Sequence, residues 1–202
     1  MKARLLPRLA CPRCHLSFRL APEERQPQAE ILAGELICSQ GHRFRVTDGI
    51  PRLAYEGCHR SRGRRTKAAF GYEWSHFSEY DVRNFRTLIM PQPEDWFSGK
   101  LGLDAGCGAG RHLRAAIQTG AEMIGVDLSE AVEVAQRKVA TLAGGHVVQA
   151  DLTQLPFQPG IFDFLYSWGV LHHTPDPEGT FHRLLPCLKP GGVVVIGVYQ
   201  TT

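Results

Sequence analysis

From Leu101 onward the chain alternates five short apolar runs, "LGLDAG", "EMIGVDLS", "HVVQAD", "IFDFLYSWGV" and "GGVVVIGVY", with segments such as "RHLRAAIQTG" and "SEAVEVAQRKVATLAG" whose apolar residues recur at helical spacing. Strand-length runs separated by amphipathic helices leave few solutions. The strands lie parallel, because each helical crossover returns the chain to the same end of the sheet, and helices cover both faces. Ser129 is placed to cap the second of these helices, with Glu130 and Glu133 near the positive end of its dipole, and Gly144 and Gly145 stop it.

The first apolar run opens into "DAGCGAGRH", Asp104 to His112. Gly106, Gly108 and Gly110 let the backbone turn sharply and approach a ligand without a Cβ in the way. A nucleoside-triphosphate loop closes on Gly-Lys-Ser/Thr, but Arg111 and His112 follow Gly110, so that chemistry is excluded. A dinucleotide fingerprint is G-x-G-x-x-G, and the spacing here is one residue shorter. Asp104 also stands at the strand's end, where a carboxylate repels a pyrophosphate and attracts a cationic ligand.

The first 57 residues are built differently, around "CPRC", Cys11 to Cys14, and "CSQGH", Cys38 to His42. A two-residue spacer lets both thiolates of a pair reach one ion, and a second pair arriving from a hairpin completes a tetrahedron of three sulfurs and one nitrogen. Cys11, Cys14, Cys38 and His42 are therefore candidate ligands of a structural zinc ion (Zn2+), the alternative being buried free thiols and a surface histidine. Six cysteines in 202 residues are too few for a disulfide scaffold. Strand-like "HLSFRL" and "AEILAGELIC" flank the polar "APEERQPQ", the pattern of a zinc ribbon. A unit this short needs a metal staple, and the ribbon is expected to unfold without it while the larger unit stays folded. His15 lies too close to Cys14 to be the fourth ligand and is expected at the surface; Cys58, Cys107 and Cys187 are expected to be buried or incidental.

Charge separates the two units. Up to Lys67 there are 14 Lys plus Arg against 6 Asp plus Glu, or +8, and from Ala68 onward 9 against 14, or −5. "CHRSRGRRTK", Cys58 to Lys67, carries five basic residues and reads as an exposed linker over 58–69. No apolar run approaches the roughly 20 residues that span a bilayer, and Met1 to Pro7 lacks a secretory segment, so a soluble, cytoplasmic protein with no membrane partner is expected.

The acidic residue followed by G-x-G-x-G resembles the first motif of the class I S-adenosylmethionine-dependent methyltransferases. "GVDLS" places Asp127 at the end of the second strand, 17 residues after Gly110, and "VVQADLTQLPF" places Asp151 at the end of the third. "FDFLYSWGVLHHTPDP" is similar to the fourth strand and its loop, and "LKPGGVVVIGVY" to the approach to the fifth. The resemblance covers Leu101 to Tyr199. It is strongest to the quinone-biosynthesis branch, joined to a ribbon similar to that of small tRNA-methyltransferase activator proteins, whose ends "GIPRL", Gly49 to Leu53, resembles. It implies a Rossmann-like doubly wound parallel sheet over 70–202, a zinc ribbon over 1–57, and S-adenosylmethionine as cofactor. The implied binding set is Asp104, the three loop glycines, Asp127 on the ribose hydroxyls with Leu128, Asp151 on the adenine amino group with Leu152, and Ser167. "FGYEWSHF", Phe70 to Phe77, looks like an aromatic lead-in in which Tyr72 or Trp74 covers the sulfonium, unless these rings are a helix face packed on the core.

A sulfonium methyl group is already activated, so such a protein mainly aligns the acceptor and excludes water. The loop "SWGVLHHTP" lacks the Asn/Asp-Pro-Pro-aromatic signature of nucleobase-amine methylation, which favours an oxygen, carbon or ring-nitrogen acceptor. His172 and His173 are candidate bases, or a pair that caps and packs before a helix starting at Thr174-Pro175. The expected partner is a small-molecule acceptor; the alternatives are an RNA base methyltransferase gripping phosphates with the basic unit, or a non-catalytic cofactor- or partner-binding module. The family's sheet normally ends in an antiparallel hairpin, which is expected to be absent because the chain stops at Thr202. "VVVIGVYQ" is then an open edge that a second copy or a partner covers, unless the chain is a truncated form or fragment with little turnover.

Overall fold

The computed structural model describes residues 1–21, 30–55, 83 and 85–198. The expected linker at 58–69, with Cys58, and the aromatic segment holding Tyr72 and Trp74 lie outside them. Near the N-terminus four antiparallel strands form one sheet in sequence order: β1 (Phe18–Ala21), β2 (Gly34–Cys38), β3 (Arg43–Thr47) and β4 (Ile50–Pro51). Exposed and buried residues alternate along β3, and Phe44 meets Phe18 edge to face at 5.7 Å. Asp48 (φ 53°) and Gly49 (φ 74°) form the two-residue turn between Thr47 and its partner Ile50, the left-handed pair that matches strand twist.

The second sheet has five parallel strands in the order β7-β6-β5-β8-β9, namely β5 (Leu101–Ala105), β6 (Glu122–Asp127), β7 (Gly145–Gln149), β8 (Phe162–Trp168) and β9 (Leu188–Gly197). Its central strand is buried throughout. Gly102 is there because a Cβ would lie 2.3 Å from the Phe164 ring and 2.5 Å from the Met123 sulfur. Helices α1 (Arg111–Gln118) and α2 (Val132–Val139) bury Leu113, Ala116, Val132 and Ala135 with Met123, Val147, Phe164 and Tyr166 on one face. Helix α3 (Pro177–Leu184) joins Leu103, Ile124, Val148 and Leu165 on the other. This is the doubly wound, Rossmann-like arrangement that the alternation predicts. No helix among the described residues is long and apolar enough to cross a membrane.

Three local expectations fail. Gly144 and Gly145 do not stop α2, which already ends at Val139 with Ala140 as its C-cap, and Gly145 opens β7. α2 begins at Val132 with Ala131 at the cap position and no capping side chain; Ser129 sits earlier, where its hydroxyl donates to Asp127 Oδ1 at 2.6 Å and accepts from the Ala131 amide at 3.4 Å, so it shapes the turn before the helix. α3 begins at Pro177 rather than at Thr174-Pro175, because the Asp176 carboxylate accepts from the Gly179 amide at 2.9 Å and caps it there.

The small sheet is docked on the large one. Leu5, Leu9, Leu36 and Phe44 share one core with Leu152, Phe157 and Phe162, and each fully buried leucine contributes roughly 1.5 to 3 kcal/mol. Leu9 bridges Phe157 in antiparallel register, and Arg52 bridges Gln149 in parallel register at the free edge of β7. The Lys2 ammonium donates to the carbonyls of Leu142 and Gly145, both at 2.8 Å, just beyond the negative end of α2. Arg4 and Arg8 each reach Glu122 at 2.7 Å. The charge asymmetry is thus partly a complementarity within the molecule. Among the described residues no strand pairs with the outer side of β9.

Candidate functional site

The C-terminal ends of β5, β6 and β7 meet where the sequence places the glycine loop. The Gly106 and Cys107 amides both donate to the Val126 carbonyl, at 2.8 and 2.9 Å, which folds the loop back over β6. Gly106 (φ 94°) has no room for a Cβ, which would lie 2.4 Å from Val170. Gly110 (φ 76°) is the residue before α1, where a Cβ would fall 2.9 Å from that of Ala135, so it sets the approach of α1 to α2. Gly108 (φ 49°) donates its amide to Asp127 Oδ2 at 2.9 Å, tying the loop to the end of β6.

Asp104 lies beneath this loop with 3% of its surface exposed. Gly110 offers α1 no capping side chain, and the amide of Leu113 in the first turn favours the charged form of the Asp104 carboxyl. Oxygen Oδ2 of the same group has no hydrogen-bond partner among the described residues. Burial pushes this carboxyl up to about 7, the Tyr166 hydroxyl opposing and the charge of Asp127 adding to the rise. A buried acid with one free oxygen fits a cationic group arriving at the strand ends.

The half-buried Asp127 holds the Ser129 amide and hydroxyl on Oδ1, at 2.8 and 2.6 Å, and keeps acceptor capacity on Oδ2 beside the Gly108 amide. Leu128 is half-buried next to it. Asp151 ends the third crossing, and its Oδ1 accepts from the Thr153 amide at 2.8 Å, so it caps the short turn in which Leu152 is buried. Ser167 is fully buried, and its hydroxyl donates to the Ala105 carbonyl at 2.8 Å, clamping β8 to β5. The rings of His172 and His173 lie 4.0 Å apart and tilted by 49° in a short turn after β8, and partial burial with the neighbouring His172 lowers the pKa of His173. Tyr72 is outside the described residues.

The other candidate cluster is complete. One ligand atom from each of Cys11, Cys14, Cys38 and His42 lies within 4.8 Å of all the others. His42 Nδ1 is 3.4 Å from Cys11 Sγ and from Cys38 Sγ, and the Cys14 and Cys38 sulfurs are 3.7 Å apart. A tetrahedral zinc ion with bonds of about 2.3 Å to sulfur and 2.0 Å to nitrogen has edges of about 3.5 to 3.8 Å, so this donor set fits that ion. Left-handed His15 (φ 58°) and Gly41 (φ 80°) turn the chain after Cys14 and before His42, and His15 is exposed. Cys107 and Cys187 are buried elsewhere.

Four polar residues that join the small sheet to the large one escape sequence reasoning: Arg52, Glu122, His146 and Gln149. His146, 3% exposed in β7, hydrogen-bonds Glu122 at 2.8 Å. Burial alone raises the carboxyl of Glu122, but His146 and Arg8 outweigh it and hold the group well below the carboxylate range. Gln149 joins the small sheet to the turn after Asp127. The available signal was a polar residue at one end of each apolar run, Glu before "MIGV" and Gln after "HVV".

Residues 103–196, a little under half of the chain, match a family model described as a methyltransferase domain. The chain is 37% identical over 123 residues to the ubiquinone biosynthesis O-methyltransferase of an Azoarcus species, covering 52% of this chain and 49% of that protein. It is 36% identical over 102 residues to the demethylmenaquinone methyltransferase of Staphylococcus saprophyticus, covering 48% and 44%. Among solved structures, an N-methyltransferase of Haemonchus contortus in complex with phosphomonomethylethanolamine and S-adenosylhomocysteine superposes with a TM-score of 0.55 at 30% identity, over 67% of this chain and 33% of that one. The chain spans about half the length or less of the curated relatives it matches.

Proposed function

We propose, from the premise that residues 103–196 are a methyltransferase domain of the class I S-adenosylmethionine-dependent fold, that the protein methylates a small-molecule acceptor at oxygen, carbon or ring nitrogen. The observation that carries the reading is the Gly108 amide bonded to Asp127 at the C-terminal ends of adjacent parallel strands. It pre-forms a carboxylate for paired hydroxyls beside a loop stripped of side chains. When bound, S-adenosylmethionine supplies an activated methyl group. In this reading Asp127 and Leu128 hold the ribose, Asp151 and Leu152 face the adenine, Asp104 attracts the cationic end under Gly106, Gly108 and Gly110, and Tyr72 covers it. Ser167 contributes by holding β8 against β5. His172 or His173 takes the acceptor's proton where the acceptor needs a base.

Cys11, Cys14, Cys38 and His42 are assigned to a structural zinc ion that makes residues 1–57 a ribbon, and a cytoplasmic setting, where thiols stay reduced, belongs to the same reading. RNA is the weaker acceptor, because Lys2, Arg4, Arg8 and Arg52 already serve contacts within the molecule. Self-association through β9 completes the proposal and is read by light scattering.

Calorimetry with S-adenosylhomocysteine tests the cofactor assignment. Asp127→Ala should weaken binding by about 1 to 3 kcal/mol, the cost of leaving buried hydroxyls unpaired. Equal or tighter binding of NAD would overturn it. Labelled S-adenosylmethionine offered with a small-molecule extract or with total RNA then identifies the acceptor class.

A further inference from the structure

Gln149 stands between the two halves of the molecule, and each end of its side-chain amide has a defined partner. Its oxygen accepts from Arg52 Nη1 at 3.1 Å, and its nitrogen donates to the carbonyls of Leu128, at 3.2 Å, and Ser129, at 3.4 Å. The partners set the amide's orientation, since a guanidinium only donates and a carbonyl only accepts. Its own carbonyl accepts from the Leu53 and Ala54 amides at 2.8 and 3.1 Å. Arg52 is anchored in turn: its amide donates to Arg45 in β3, the strand that begins next to His42, and Nη2 reaches Glu133 at the start of α2 at 3.2 Å. On the far side, Leu128 and Ser129 form the turn that fixes Asp127 Oδ1.

We infer that Gln149 is a positioning residue for cofactor binding, through which the N-terminal sheet holds the Asp127 carboxylate in place. It touches no cofactor itself. The inference rests on the cofactor reading above and deepens it: the small sheet is part of the support of the site and not an appendage. The turn after β6 is short and irregular, and apart from the Asp127 contacts its two carbonyls are held by the amide of Gln149.

Gln149→Glu is the discriminating variant. It keeps the size of the side chain and its acceptor for Arg52, but turns a carboxylate oxygen toward two carbonyls where an N–H₂ stood. Loss of a hydrogen bond to a constrained turn is expected to weaken S-adenosylhomocysteine binding by about fivefold to thirtyfold, with a melting temperature close to that of the parent. In an Asp127→Asn background the same change should cost little, because the carboxylate it positions is gone. Unchanged affinity in Gln149→Glu, or an equal loss in both backgrounds, overturns the inference while leaving the cofactor reading intact. Absence of binding by the parent protein overturns both.

Discussion

Glu122 and Asp104 are carboxylates at opposite ends of one parallel sheet, and their surroundings drive them in opposite directions. Glu122, at the start of β6, meets Arg4, Arg8 and His146 and is held well below its ordinary range despite partial burial. Asp104, at the end of β5, is buried without a cation among the described residues and is pushed up to about 7. The first arrangement gives every charge a partner and belongs to stability; the second leaves a carboxyl oxygen without a hydrogen bond among the described residues, which the proposed function assigns to ligand binding. The difference follows from the polarity of a parallel sheet, whose C-terminal ends face the crevice and whose other end is free for docking.

The largest test of that division removes the metal. Structural zinc sites contribute on the order of 10 kcal/mol to folding, and the core around Leu9, Phe157 and Phe162 runs through both halves. Chelation or Cys14→Ser should therefore lower the melting temperature by more than about 10 °C in one calorimetric transition. Two transitions, with the upper one unmoved, would show that the larger unit stays folded alone.

Glu122→Gln should cost about 2 to 3 kcal/mol in urea unfolding at pH 7, the effect of breaking a partly buried ionic network. Because the folded protein depresses this pKa from 4.5, the stabilisation is present above about pH 4.5 and is lost as the pH falls through the acid range. The variant should lack that part of the acid slope.

Asp104 sharpens the comparison with the smallest effect. Its raised pKa means that the stability carried by the protonated form is complete below the ordinary value of 3.8 and is lost as the pH rises toward 7. A sulfonium ligand needs the ionised form, so S-adenosylmethionine affinity should fall about tenfold between pH 8 and pH 6. Asp104→Asn should remove that dependence, and a pH-independent parent would remove Asp104 from the site.

The sequence by itself determined the parallel sheet, the glycine loop, Asp127 at the end of β6 and the convergence of three cysteines and a histidine, because each depends on local spacing: strand period, glycine at left-handed φ, paired Cys separations. Tertiary structure alone decided where the charges went. A surplus of arginine in one unit and of acid in the other is equally compatible with a nucleic-acid grip and with mutual docking, and the placement of Arg4, Arg8 and Arg52 against Glu122 and Glu133 commits that part of it to docking. The same holds for Ser129 and Ser167, whose hydroxyls found acceptors at Asp127 and at Ala105 that no local pattern announces. Hydrogen bonds and ion pairs between distant segments depend on positions in space, and those exist only once the core has brought the segments together.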